Sequence, residues 1–256
     1  MPEVRPKKHL GQHFLNDKRV AQRITESLIA DGCDTVLEIG PGMGVLTFGL
    51  FHRFGNRLTA VEVDHESVEY LKRNLPELRV IEADFLQIDI NELLNGKFAV
   101  IGNLPYNISS QIFFRIIEHR HIVPEVVAMV QREVAQRIAE KPGSRTYGIL
   151  SVLLQAFYNI EYLFTVSEGC FTPPPKVKSA VIRLTRNNVE DLGCSYALFE
   201  RVVKAAFNQR RKTLRNSIRS AFNGVEISDT YAGKRAEQLS VANFIDLTLE
   251  VERLLG

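Results

Sequence analysis

Short apolar runs punctuate the first two-thirds of this chain, and between them apolar residues return at helical spacing. Val36-Leu37-Glu38-Ile39, Leu58 to Val63, Leu78 to Ala83, Phe98 to Gly102 and Glu125 to Gln131 have strand length. The intervening segments place Val20, Ile24, Leu28 and Ile29, then Leu46, Leu50, Phe51 and Phe54, then Ile112, Phe113, Ile116 and Ile117 on single helical faces. Asn16 or Asp17 can cap the first of these helices, and Ser109 and Ser110 sit at the start of the last. Strands alternating with helices predict an α/β domain whose mostly parallel sheet is covered on both faces.

Beyond the fifth strand the pattern predicts a short helix from Glu133 to Ala139, a turn at Lys141-Pro142-Gly143-Ser144, a helix from Tyr147 to Ala156 and a β-rich stretch to Val166. The consecutive prolines of Phe171-Thr172-Pro173-Pro174-Pro175-Lys176-Val177 cannot lie inside a helix or central strand. They lead into a final strand, Ala180 to Thr185. The polar bridge Asn187 to Gly193 marks a boundary, giving a domain over 1–188 and a small all-helical domain over 189–256.

Residues suited to ligands fall at the carboxyl ends of successive strands, the edge where open α/β sheets bind. The first strand runs into Gly40-Pro41-Gly42-Met43-Gly44, and Val45 stands where a dinucleotide fingerprint needs its last glycine. That leaves a turn where backbone approaches a ligand without cradling a pyrophosphate. Glu62 ends the second strand and can accept both hydroxyls of a ribose. Asp64 competes for that role or caps the next helix. Asp84 follows the third strand, where it could accept from an adenine amino group or cap a turn. The fourth carries Asn103-Leu104-Pro105-Tyr106, with a carboxamide, turn carbonyls stiffened by proline and a flat aromatic face. Phe171, at the mouth of the proline segment, reads either as a core residue or as a second plate facing Tyr106.

Composition adds little until it is localised. Hydrophobic residues make 45% and charged residues 24% of the 256, and 32 basic against 30 acidic side chains leave a net charge of +2, which by itself selects no class of partner. The basic charge is nonetheless gathered. Arg201, Lys204, Arg210, Arg211, Lys212, Arg215 and Arg219 occupy a stretch with no acid, and on one continuous helix all but Arg210 would share a face, with Phe207, Leu214 and Ile218 docking it. A one-signed stripe of this kind points to phosphates. Arg5, Lys7, Lys8, Lys18 and Arg19 make a basic N-terminal arm. Cys33, Cys170 and Cys194 are far apart, which predicts neither a disulfide framework nor a metal site and suits a reducing, cytoplasmic setting. The N-terminus has no apolar leader and no run reaches spanning length, so no membrane is expected.

Five stretches together resemble the ribosomal RNA adenine dimethyltransferases. They are Gly11-Gln12-His13-Phe14-Leu15, Glu38-Ile39-Gly40-Pro41-Gly42, Asn103-Leu104-Pro105-Tyr106-Asn107-Ile108-Ser109, Phe171-Thr172-Pro173-Pro174-Pro175-Lys176-Val177, and Phe207-Asn208-Gln209-Arg210-Arg211-Lys212-Thr213-Leu214-Arg215-Asn216. The resemblance implies a Rossmann-like class I methyltransferase domain with a seven-stranded sheet. It implies S-adenosylmethionine held by His13, Leu15, Gly40, Glu62, Asp84 and Asn103. His13 departs from the bacterial pattern, which usually has Asn there. Catalysis would rest on Asn103, Leu104, Pro105, Tyr106 and Phe171, with an adenine between Tyr106 and Phe171. Lys204, Arg211, Lys212, Arg215 and Arg219, with the N-terminal arm, would grip RNA backbone.

The implied activity is N6,N6-dimethylation of two adjacent adenosines near the 3′ end of small-subunit ribosomal RNA, with an immature small subunit as partner and a monomeric enzyme. Three other readings stand beside it: a large-subunit enzyme of the macrolide-resistance type, which would be expected to lack the last two stretches; a DNA adenine methyltransferase, against which Leu104 argues; and an assembly factor whose methylation is secondary.

Overall fold

The computed structural model describes residues 4, 6–7, 10–90 and 96–256, so Arg5, Lys8 and His9 of the basic arm lie outside the described residues. The strands of its central sheet are β2 (Thr35–Ile39), β3 (Leu58–Glu62), β4 (Arg79–Glu82), β5 (Phe98–Asn103), β6 (Glu125–Gln131), β7 (Tyr158–Val166) and β9 (Ser179–Arg186). They form a seven-stranded sheet in the order β4-β3-β2-β5-β6-β9-β7. A separate two-stranded ladder pairs β1 (Phe14–Leu15) with β8 (Phe171–Thr172) antiparallel.

β4, β3, β2, β5 and β6 run parallel, and β9 returns antiparallel to β6. β3 is buried along its whole length, as are β5 and β6 apart from their last residues. Successive side chains point to opposite faces, so unbroken burial means that both faces are covered, as the apolar runs predicted. One layer joins Ile24 and Leu28 of the helix Lys18–Ser27 and Leu50 of the helix Thr47–Phe54 to Val36, Ala60, Ile101, Val127 and Met129 of the sheet. Parallel register sets the ligand-bearing ends side by side, with Ile39 opposite Val61 and Glu62 opposite Glu82.

Compactness divides the chain into one unit of 1–135 with 160–186 and another of 136–159 with 187–256. The second unit thus takes in a mid-chain segment as well as the helices after the polar bridge. The helix Ile149–Gln155 is buried from Leu150 to Leu154, and Tyr147 packs edge-on against Phe207 at 6.0 Å. No pattern in 136–159 says which unit its apolar side chains will join.

The single basic helix expected over 201–219 is two helices, Tyr196–Asn208 and Leu214–Ala221. The chain turns between them, where the Lys212 N–H donates to the Gln209 carbonyl at 2.8 Å and Thr213 is extended at φ −71°, ψ 156°. The Arg210 Nη2 donates to the Tyr147 carbonyl at 3.0 Å and so turns inward. Phe207, Leu214 and Ile218 are buried, as their stripe predicted. Among the described residues, no helix is long and apolar enough to cross a membrane.

Candidate active site

The corner after β5 begins with a residue that has to be small. A Cβ on Gly102 would stand 2.5 Å from the Ile39 carbonyl oxygen, so glycine is what lets the end of β5 run against the end of β2. Asn103 follows, half-buried, and its Nδ2 donates to the His13 carbonyl at 3.0 Å. A carbonyl only accepts, so this bond fixes the amide and leaves Oδ1 on its other side. The Leu104 N–H donates to the Met129 carbonyl at 3.0 Å, and the Ile108 N–H closes the turn on the Pro105 carbonyl at 3.2 Å. The helix Ser109–Glu118 then starts. Tyr106 is half-buried, its hydroxyl 2.6 Å from Ser179 Oγ and its ring stacked on His13, with centroids 5.5 Å apart and planes 25° apart.

The other strand ends converge on the same cleft of about 870 Å³, which is lined by Gly40, Glu62, Asp84, Asn103, Tyr106, His13 and Leu15 among others. Gly40 has φ +66°, and no atom lies within 4 Å of where its Cβ would be, so the turn leaves open space. The buried carboxylate of Glu62 accepts the Gly42 N–H at 3.0 Å on one oxygen and the Asp64 N–H at 2.9 Å on the other. Burial raises its pKa, and these two bonds pull against that rise. Each oxygen keeps a lone pair for a further donor. Asp84 is exposed, with one oxygen taking the Leu86 N–H at 2.9 Å.

Glu38, buried behind the glycine turn, is pushed up to about 8 by desolvation, with the nearby Thr47 hydroxyl opposing the rise and repulsion from Glu62 adding to it. Two carboxylates, Glu62 and Asp84, thus line the cleft with Lys18, beside a Glu38 carboxyl that keeps its proton below about pH 8. A positively charged adenosine fits such a lining better than a polyphosphate. The open glycine turn and the free lone pairs of Glu62 suit S-adenosylmethionine, whose diol and sulfonium they would face.

The N-terminal segment, which has no periodicity in the sequence, is built into this site. Gly11, at φ +65°, packs so close to Asn107 that a Cβ would stand 2.8 Å from its Oδ1. The Phe14 ring covers Gly42, where a Cβ would meet it at 2.9 Å. His13 Nδ1 lies 2.8 Å from the Pro173 carbonyl, and Asn16 Nδ2 donates to Thr172 Oγ1 at 2.8 Å. Lys7 pairs with Asp64 and, at 3.3 Å, with Glu66. Burial would raise the Asp64 carboxyl, but bonds from Lys7, Ser67 and Gln12 hold it below the ordinary value. Asp64 therefore stands at the N-cap position of the helix His65–Asn74 and anchors this strap, while Glu62 faces the cleft. Lys7, expected to grip RNA, is already engaged by two carboxylates.

Phe171 reads from the sequence either as a core residue or as a second plate facing Tyr106. It is 3% exposed and sits opposite Leu15 in the β1–β8 ladder, inside the hydrophobic core. Gly102, Ser179 and Glu38 were not singled out by sequence reasoning. Gly102 had a signal, a glycine ending an apolar strand just before the tetrapeptide. Ser179 had none, since its role depends on where Tyr106 lies.

In the second unit, Lys204, Arg211, Lys212, Arg215 and Arg219 are all exposed. The stripe is not free of acids. Lys204 pairs with Glu200 at 2.7 Å, Arg215 with Asp229 at 2.8 Å and Arg219 with Glu226 at 3.7 Å. Those partners lie outside the 201–219 window.

Comparison with known proteins places these features in context. A family model described as ribosomal RNA adenine dimethylase matches residues 4–252. The ribosomal RNA small subunit methyltransferase A of Parabacteroides distasonis is 57% identical over 96% of this chain and 94% of its own length. That of Bacteroides thetaiotaomicron is 56% identical over 100% and 97%. Among solved structures, a dimethyladenosine transferase from Plasmodium falciparum superposes with TM-score 0.81 at 23% identity, covering 94% of this chain and 98% of that one. A 23S rRNA methyltransferase superposes with TM-score 0.67 at 25% identity, covering 93% and 99%.

Proposed function

This chain belongs to the ribosomal RNA adenine dimethylase family, and on that premise we propose that it uses S-adenosylmethionine to dimethylate N6 of two adjacent adenosines in the 3′-terminal hairpin of small-subunit ribosomal RNA. It acts as a cytoplasmic monomer on an immature small subunit. The small-subunit target is favoured over the large one because relatives named for the small subunit are 57% and 56% identical, whereas the 23S enzyme is 25% identical. The Phe-Thr-Pro-Pro-Pro-Lys-Val and Asn-Gln-Arg-Arg-Lys-Thr stretches favour the same target.

The observation that carries the mechanism is the bond from Asn103 Nδ2 to the His13 carbonyl. An extruded adenine rests on Tyr106. The Asn103 oxygen and the Leu104 carbonyl accept its two amino hydrogens. An aromatic amine is a poor nucleophile while its lone pair is delocalised into the ring. Accepting both hydrogens at once favours a pyramidal nitrogen and aims that pair at the methyl carbon. Bound S-adenosylmethionine supplies a methyl group activated by its sulfonium. Glu62 would hold the ribose and Asp84 the adenine amino group, and Leu15, Gly40 and the main chain of His13 would shape the cleft around the cofactor. The protein's share is positioning. Each transfer releases one amino proton to solvent, so the monomethylated amine returns with one hydrogen and the pocket tolerates the loss of one acceptor bond.

Lys204, Arg211, Lys212, Arg215 and Arg219 contact RNA phosphates. The exposed ion pairs of three of them are weak enough to exchange for phosphate. The test is incubation of labelled S-adenosylmethionine with under-methylated small subunits, large subunits and naked RNA. Label on small subunits, lost in Asn103→Ala while subunit binding persists, is the expected result. Label on large subunits alone contradicts the proposal.

A further inference from the structure

Tyr106 is held by two neighbours that do different things. Its hydroxyl meets Ser179 Oγ at 2.6 Å. That oxygen lies on the axis about which a tyrosine ring turns, so the bond fixes where the ring ends but not the plane it lies in. The plane is set by the imidazole of His13, stacked on the ring at 5.5 Å and 25°. The imidazole is itself oriented. Its Nδ1 lies 2.8 Å from the Pro173 carbonyl, and a carbonyl cannot donate, so Nδ1 carries the hydrogen and the ring is pinned against the proline segment. The main chain of the same residue accepts the Asn103 Nδ2–H at 3.0 Å.

We infer that His13 is a positioning residue for the target base, its ring setting the plane of Tyr106 and its carbonyl setting the amide of Asn103. This rests on the roles proposed above for Asn103 and Tyr106, and goes beyond the approach to cofactor that the family resemblance implies for His13. Stacking of this kind changes an equilibrium by roughly two- to tenfold, and misplacement at a reacting centre multiplies its effect on rate. One residue of the strap thus couples the two halves of the base pocket, and the β1–β8 ladder next to it keeps the strap in register.

Three variants test this on the full-length protein with under-methylated small subunits. His13→Ala keeps the carbonyl and removes the ring. It should lower kcat about tenfold while the dissociation constant for S-adenosylmethionine, measured by calorimetry without RNA, changes less than about twofold. His13→Phe keeps a flat ring without its polar atoms and should recover most of that rate. The chain contains no tryptophan, so Tyr106→Trp makes a single indole reporter. Adding His13→Ala to it should raise the reporter's local mobility in time-resolved anisotropy.

If His13→Phe is as slow as His13→Ala and both weaken cofactor binding in step, His13 serves the cofactor and the inference fails. Unchanged mobility of the indole overturns it as well. If Asn103→Ala methylates like the wild type, it is the underlying reading of the pocket that fails.

Discussion

The sheet-edge corner and the basic helices of the second unit are both polar and both proposed to meet RNA, yet they are built on opposite terms. At the corner the positioning side chains are tied by short directional bonds: Asn103 to His13, Tyr106 to Ser179, Glu62 to the backbone at Gly42 and Asp64. On the helices the charges are exposed, and the bonds that tie them are ion pairs open to solvent, such as Arg215 to Asp229 at 2.8 Å and Arg219 to Glu226 at 3.7 Å. A corner fixed in this way acts through geometry, so a single atom out of place costs much and salt costs little. A charged surface acts through the number of phosphates it neutralises, so each residue counts for little and salt for much.

The sharpest break in that comparison is Asn103→Ala. Losing one fixed hydrogen-bonding group from a sheltered site costs about 10²- to 10³-fold in kcat. Binding to under-methylated subunits, followed by sedimentation, should stay within about twofold of wild type, because the groups that meet phosphate are untouched. A comparable loss of binding would merge the two regions into one.

Burial distinguishes the corner in a second way. Glu38 titrates at about 8 in the fold against 4.5 for an ordinary glutamate. Its raised pKa means that the folded chain binds the extra proton in the window between them. Its contribution to stability is full below 4.5 and is lost as pH rises through 8. Glu38→Gln, which cannot ionise, should flatten that dependence. Between about pH 5 and 8 the wild type should lose stability relative to the variant by up to about 1.4 kcal/mol per pH unit. Urea unfolding of both proteins at a series of pH values measures it, and parallel curves would mean that Glu38 is ionised in the fold.

The two regions also differed in how far they could be read from sequence. Strands buried on both faces have to be apolar runs, and ligands meet them at their carboxyl ends, so Gly40, Glu62, Asp84 and Asn103 stood out from position alone. The strap from Gly11 to Asn16 did not, because its partners are Pro173, Thr172 and Asn103, far along the chain, and nothing periodic announces them. Phe171 could be read two ways for the same reason, since the partner it pairs with, Leu15, lies far along the chain. The basic stretch kept a helical pattern through 209–213 although the chain turns there, and its acids at Glu226 and Asp229 arrive only when later segments fold back. Local pattern speaks for elements and strand ends; it is silent wherever a residue's partner is distant.

On the helical side the effects should be graded. Arg211 and Lys212 project from the turn between the two helices, and replacing both with Ala should raise KM for subunits several-fold with kcat unchanged. The slope of log K against log salt should become shallower by about 0.7–0.9 for each phosphate that is no longer neutralised. A fall in kcat instead would place these residues in the chemistry.

The smallest effect is the most diagnostic. Arg215 and Asp229 pair at 2.8 Å with side chains 58% and 94% exposed, a setting in which ion pairs contribute little. If the pair merely holds the fold, Asp229→Ala should lower the melting temperature slightly and leave RNA affinity alone. If Arg215 is shared between Asp229 and phosphate, removing the competitor should tighten RNA binding by up to about twofold and steepen the salt slope by less than the increment of about one phosphate. The second outcome is the expected one, because the guanidinium stays exposed while it is paired. Binding curves at two salt concentrations separate the two, since only a released phosphate ligand improves affinity more at low salt than at high.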